Sequence, residues 1–216
     1  MGGVDKVFAP LCGRPAVAWV LDALEEAPSV DGVLLVLNGA SLAQGEDLVR
    51  RGPWRKVWGV CVGGERRQDS VRRGLEGLPP CHWVVVHDAA RPCLTPALVE
   101  EGLLAAEETG AAIAAIPATE TIKKVDPAMW VVETLPREQL RVVQTPQVFR
   151  RPLLEEAHRS IHDPVTDDAT MVERLGARVK VFPGDYANLK ITTPQDLLLA
   201  EAILRARRVP TEVSPP

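Results

Sequence analysis

The segment with the clearest chemistry is His87-Asp88-Ala89-Ala90-Arg91-Pro92, which follows directly on an apolar run at residues 83–86. A carboxylate at the carboxyl end of a buried strand stands over the crevice where open α/β sheets bind their ligands. Asp88 in that position suits a Mg²⁺ held against a nucleotide phosphate. Arg91, one short turn on, offers a planar fork for phosphate oxygens. A helix-capping aspartate and a surface arginine would have the same spacing, so these residues alone leave both readings open.

A second segment, residues 63–71, is a double-glycine turn entering a helix. Backbone amides and Arg67 there suit a base or a phosphate, and Ser70 suits a hydrogen bond to a base. Such turns are common, and the GK[ST] ending of a Walker loop is absent. Lys190, just before the last helix, and Lys6, just after a glycine pair, could each approach an anion. Taken singly, each is an ordinary solvated lysine. Thr121, Arg137 and Thr145-Pro146-Gln147 lie in or beside an irregular segment, from which side chains could reach another subunit. Thr166-Asp167-Asp168-Ala169 suits a helix N-cap. His82, His158 and His162 lack metal-ligand spacing and suit surface or packing roles. The glutamate pairs Glu25-Glu26, Glu100-Glu101 and Glu107-Glu108 read as solvated helix faces. No G-x-S-x-G element or Cys–His nucleophile pair is present.

These side chains need elements to hold them. Apolar runs at 33–37, 57–62 and 83–86 end in Asn-Gly, Gly-Gly and His-Asp, and further runs lie at 111–116 and 178–182. Continuous apolar runs of this length suit strands buried on both faces. Helical stripes fall between them. Pro15 opens one with Val17, Val20, Leu21 and Leu24. Val71, Leu75 and Leu78 mark another. Thr95-Pro96 caps a third and Thr193-Pro194 a last one, which ends in Arg205, Arg207 and Arg208. This β-α alternation predicts an α/β fold with a mainly parallel sheet and helices on both faces. Residues 118–148 break the rhythm with strand formers and turn signals, and read as an extended β-arm. One domain over residues 1–208 is expected, followed by a flexible tail at 209–216 with three prolines.

Composition narrows the class. The chain has 216 residues, 46% of them apolar and 25% charged. That is long enough for a core without disulfides, and it excludes a disordered chain, a collagen, a coiled coil or a disulfide mini-protein. The net charge of −4 gives no reason to expect a nucleic-acid partner. No apolar run reaches the roughly 20 residues of a membrane span. The first residues lack the pattern of a signal peptide. Cys12, Cys61, Cys81 and Cys93 have no metal or redox spacing, and small buried hydrophobes in a cytoplasmic chain are expected.

In this order, the segments resemble the 2-C-methyl-D-erythritol 4-phosphate cytidylyltransferase family. The matching pieces are Lys6-Val7-Phe8, residues 63–71, residues 87–92, Thr121-Ile122-Lys123, Arg137, Thr145-Pro146-Gln147, residues 166–169 and residues 188–196. The resemblance implies a Rossmann-like nucleotidyltransferase that moves CMP from CTP to methylerythritol 4-phosphate and releases pyrophosphate, a step of the non-mevalonate route to isoprenoid precursors. It implies Mg²⁺ at Asp88 and a homodimer clasped by the arms. Lys6 resembles the lysine that stabilises charge on the α-phosphate. Gly64, Arg67 and Ser70 match positions near the cytidine and its ribose. Arg91, Thr121, Arg137, Thr166 and Lys190 match positions that grip the acceptor phosphate, with Thr121 and Arg137 supplied by the neighbouring subunit. The cations Lys6, Arg91, Arg137 and Lys190 stand where charge would develop.

Two departures from the family pattern carry expectations. The family opens with a strand and an A-A-G-x-G-x-R-M loop, and Met1 matches that motif's last residue. About 15–25 upstream residues are therefore expected, because omitting a central strand would leave backbone groups unpaired. Ala187 stands where some members carry an acid that helps hold the metal, and Asp185 is the nearest substitute. Ribitol 5-phosphate cytidylyltransferases share these motifs, and a non-catalytic nucleotide-binding protein is the alternative of a different class.

Overall fold

The computed structural model describes residues 5–208. Met1-Gly2-Gly3 and the tail expected to be flexible lie outside the described residues. A short antiparallel pair, β1 (Pro10–Leu11) and β2 (Arg14–Pro15), leads into α1 (Ala16–Glu26). The chain continues through β3 (Val33–Leu37), α2 (Leu42–Arg51), β4 (Val57–Val62), α3 (Arg67–Gly77), β5 (Trp83–Val86), α4 (Pro96–Ala106) and β6 (Ala111–Pro117). A hairpin follows, β7 (Ile122–Val125) and β8 (Val131–Leu135). Then come β9 (Arg141–Arg150), α5 (Arg151–Ser160), α6 (Asp168–Arg174), β10 (Lys180–Pro183) and α7 (Pro194–Arg208).

The local rules that predict these elements are visible in their ends. Thr95 accepts a hydrogen bond from the Leu98 amide at 3.3 Å, with Pro96 in the first helical turn. At α7 the capping is reciprocal. The Thr193 hydroxyl accepts from the Asp196 amide, and the Asp196 carboxylate accepts from the amides of Thr192 and Thr193. The cap of α6 is Asp167, whose side chain accepts from the Thr170 amide at 3.0 Å.

The main sheet runs β10-β6-β9-β5. β10 is parallel to β6, while β9 is antiparallel to both β6 and β5. β5, β6 and β10 therefore share one direction and β9 alone is reversed. β3 and β4 form a separate parallel pair. The Rossmann-like α/β arrangement is borne out, with this one strand reversed within it.

Alternation along the strands divides the core between two faces. Ala112, Ala114 and Val148 pack with Val20 and Leu24 of α1 and Leu98 and Val99 of α4. Ala111, Ile113 and Phe149 pack on the other face with Leu75 of α3, Leu154 and Ala157 of α5, and Met171 and Val172 of α6. A third cluster seats α7, through Ala200 and Leu204, against Leu11, Cys93 and Ile191. Among the described residues, no helix is long and apolar enough to cross a membrane.

Two expectations need correction. β4 is an apolar run, yet Trp58 is 50% exposed, because among the described residues β4 pairs only with β3 and part of its surface is left uncovered. The arm expected over residues 118–148 is shorter. Its ends meet where the Ala118 amide donates to the Leu140 carbonyl, and residues 141–150 return as a central strand. Thr145 and Gln147 are consequently buried within the sheet and do not face another subunit. Pairing across two neighbouring strands and burial on both faces draw this segment out of the arm and into the sheet.

Candidate active site

The site forms where the segments after β5, around the start of α6 and before α7 converge on a cleft of about 360 Å³. Its lining includes Arg67, Asp88, Arg91, Thr166 and Lys190, with Gln144, Thr145 and Gln147 of β9. Asp88 is the centre. Lys190 Nζ lies 2.8 Å from its Oδ2, Arg67 Nε 3.4 Å from its Oδ1, and Arg91 Nε 3.8 Å from its Oδ2. Three cations surround this one carboxylate, and although Asp167 and Glu173 also line the cleft, the positive charge is gathered on the Asp88 side, where an anionic ligand would be drawn. Burial raises the Asp88 pKa, but the Lys190 hydrogen bond and charge, and then Arg67, more than reverse this and hold it below the usual value. Burial lowers the pKa of Arg91.

The loop carrying Asp88 is fixed from below. Thr145 Oγ1 accepts from the Asp88 amide at 3.0 Å and lies 3.1 Å from His87 Nδ1. His87 Nε2 is 3.3 Å from the Arg91 carbonyl, which only accepts, so Nε2 carries the proton and Nδ1 receives the Thr145 hydroxyl. Burial lowers the His87 pKa to about 4, keeping the ring neutral near pH 7. Asn188 joins the neighbouring loop to the same point. Its Nδ2 donates to the Thr145 carbonyl at 2.7 Å, and its own carbonyl accepts from Arg91 Nη1 at 2.8 Å. The Ile191 amide donates to the Ala90 carbonyl, placing Lys190 beside Asp88. Asn188 Oδ1 and Arg91 Nε are buried without partners among the described residues. Arg91 lines the cleft, whereas Asn188 is fully buried behind it.

Five of the residues singled out by sequence thus meet in one cleft. Others lie apart. Gly64 and Ser70 do not line it. The Gly64 amide donates to Ser70 Oγ at 3.1 Å, and a Cβ on Gly64 would sit 2.3 Å from the Asp69 Cβ. Close packing explains that glycine. Lys6 sits in a turn whose Asp5 side chain accepts from the Val7 amide and bonds Ser41. Thr121 and Arg137 are exposed on the arm, where Arg137 Nη1 donates to the Thr119 carbonyl at 3.0 Å. Asp185 accepts from the Ala187 amide and faces Arg207, and it does not line the cleft. Sequence reasoning missed the supporting roles of Thr145, Asn188, Asp168 and His158. The one signal for them was their place in polar segments beside buried strands.

Among the described residues, the carboxylates that line the cleft are Asp88, Asp167 and Glu173. No cluster of three or more His, Cys, Asp or Glu side chains among the described residues is placed for a metal. Mg²⁺ commonly takes one or two carboxylates and fills its shell with substrate phosphates and water. Asp88, a single carboxylate on the cationic side of the cleft, fits that donor set.

An open α/β sheet with an anion-binding crevice at its strand ends defines a protein that handles phosphorylated or nucleotide ligands. Comparison with known proteins narrows the class to the nucleotidyltransferases. The model of the 2-C-methyl-D-erythritol 4-phosphate cytidylyltransferase family matches residues 1–206, and the chain belongs to that family. A protein of that name from Dehalococcoides mccartyi is 48% identical over 208 residues, covering 96% of this chain and 92% of the relative. The crystal structure of the Thermus thermophilus protein of that name is 36% identical, with a TM-score of 0.77, covering 93% of this chain and 94% of that one. The 4-diphosphocytidyl-2C-methyl-D-erythritol synthase of Anaerococcus prevotii aligns with a TM-score of 0.85 at 27% identity, covering 95% of this chain and 92% of the other.

Proposed function

We propose that this chain transfers CMP from CTP to 2-C-methyl-D-erythritol 4-phosphate, giving 4-diphosphocytidyl-2-C-methyl-D-erythritol and pyrophosphate in isoprenoid precursor synthesis. The observation that carries this is the gathering of Arg67, Asp88, Arg91, Thr166 and Lys190 in one cleft of a chain that belongs to the family. An oxygen of the acceptor phosphate attacks the α-phosphorus of CTP. A new P–O bond forms as the bond to the β-phosphate oxygen breaks, and pyrophosphate leaves with the electron pair.

Both reactants are anions, so the protein's task is to offset charge and align the two phosphates. Arg91 and Lys190 hold the acceptor phosphate, with Thr166 donating from the start of α6. Arg67 meets the nucleotide, and the Gly64–Ser70 turn shapes the cytidine side. Lys6 offsets charge on the α-phosphate. Asp88 would hold Mg²⁺, and the ion would supply Lewis-acid stabilisation of phosphate charge.

Thr121 and Arg137 act from the arm of a second subunit. The support for this is their distance from their own cleft and the apolar surface of the arm, where Trp130 is 74% exposed. A two-stranded hairpin is marginal in water by itself, and a partner subunit would cover it. The four cysteines are free thiols, in keeping with a cytoplasmic protein.

Pyrophosphate release from CTP with Mg²⁺ and either acceptor tests the reading. Release with methylerythritol 4-phosphate well above that with ribitol 5-phosphate is expected. Release with ribitol 5-phosphate alone would change the acceptor, and release with neither would leave a nucleotide-binding protein without this activity.

A further inference from the structure

The polar chain that starts at Lys190 and Asp88 does not end at Arg67. Arg67 Nη1 lies 2.6 Å from Asp168 Oδ2, and Asp168 Oδ1 lies 3.1 Å from His158 Nε2. The Asp168 side chain is fully buried and that of His158 is 5% exposed. A carboxylate only accepts, so His158 Nε2 carries a proton toward it. We propose that Asp168 is a positioning residue that aims the Arg67 guanidinium at the nucleotide, and that His158 holds Asp168 in place. The inference rests on the reading of Arg67 as a nucleotide contact.

Three features support it. Asp88, the other partner of Arg67, is 3.4 Å from it and is shared with Lys190 and Arg91, whereas Asp168 is at 2.6 Å and bonds no other cation of the cleft. Asp168 itself is held by its surroundings. It begins α6 beside the capping Asp167, which accepts from Gln147 Nε2 at 2.8 Å, and Gln147 Oε1 accepts from the Ala169 amide. The carboxylate is thereby tied to a buried strand. Finally, with Nη1 on Asp168 and Nε on Asp88, Nη2 has no hydrogen-bond partner among the described residues and remains for a ligand. A long arginine fixed at one edge loses less freedom when it binds.

Asp168→Asn tests this with little change of shape. Its amide can still accept from His158 through Oδ1 while its NH₂ opposes Arg67 Nη1, donor against donor. Steady-state pyrophosphate release should show KM for CTP raised about 10–100-fold. Neither kcat nor KM for the acceptor should change by more than about threefold. Calorimetric CTP binding should weaken in parallel. His158→Gln keeps a donor and should bind CTP nearly as the wild type does, whereas His158→Leu should bind about 3–10-fold more weakly. A folded Asp168→Asn protein with an unchanged KM for CTP, or with only kcat reduced, overturns the proposal. If Asp168→Asn does not fold, equal CTP affinity in the two His158 variants overturns it instead. Wild-type protein that neither binds CTP nor releases pyrophosphate would overturn the underlying reading of Arg67 before any variant is compared.

Discussion

The cleft and the arm both carry residues matched to catalysis, yet they are built in opposite ways. Asp88 is 17% exposed and touches three cations, and its loop is bonded to Thr145 and, through Ile191, to the Lys190 segment. The arm carries Met129, Trp130, Val131 and Val132 on its surface, each at least 60% exposed, and Arg137 contacts the Thr119 carbonyl and Glu138 of the arm itself. The cleft is positioned from within the chain. The arm leaves apolar side chains exposed, and its cations Lys123 and Arg137 make only contacts within the arm among the described residues. Under the proposed function, geometry is set by one copy and charge is completed by the arm of a second.

The strongest test of this contrast uses activity. Lys190→Ala should lower kcat/KM about 100–1,000-fold, because it removes a cation from the site of charge development. Arg137→Ala should also lose activity. Mixed dimers of the two variants should recover about a quarter of wild-type turnover, since half the dimers are mixed and each holds one intact site. No recovery in pyrophosphate release would place Arg137 in its own subunit's chemistry. A smaller effect is expected for Trp130→Ser. Loss of an aromatic anchor worth about 2 kcal/mol would raise the dimer dissociation constant about 30-fold in sedimentation. An unchanged constant would place the interface elsewhere.

The same contrast explains what the sequence revealed. β3, β4 and β5 coincide with the apolar runs at 33–37, 57–62 and 83–86, because such runs closed by turn residues favour strands, even where, as in β4, the strand is only partly covered. Thr95 and Pro96 marked the start of α4 for equally local reasons. The first part of β9 was assigned to the arm because the turn signals at Asp126-Pro127 and Leu135-Pro136 set the whole segment apart, and because its pairing with β5 and β6 is decided by residues far away in the chain. In the site, Asp88, Arg91 and Lys190 were each ambiguous alone. Their convergence depends on the Ile191–Ala90 and Asn188–Arg91 bonds, which no local spacing encodes. The His158–Asp168–Arg67 chain was missed for the same reason, since it crosses three helices. His158 was read as a surface or packing residue because its environment, not its neighbours in sequence, gives it a role.

The smallest effect should come from the cap that anchors the Lys190 segment. Asp196 accepts from the Thr192 hydroxyl and from the amides of Thr192 and Thr193, and these bonds lower its pKa to about 2 from the usual 3.8. A carboxyl depressed in the fold binds fewer protons there than in the unfolded chain. Its contribution is therefore complete above the unfolded value near 3.8 and is lost as pH falls toward 2. Asp196→Asn should lower stability modestly at neutral pH and flatten the loss of stability between those limits, read as urea midpoints at a series of pH values. These hydrogen bonds are open to solvent, which keeps their contribution to stability small. If turnover falls while the midpoint holds, the cap acts on Lys190 placement more than on folding. If the midpoint falls and turnover holds, the Ile191–Ala90 and Asn188–Arg91 bonds are enough to seat Lys190, and the cleft is even more self-contained than its contrast with the arm implies.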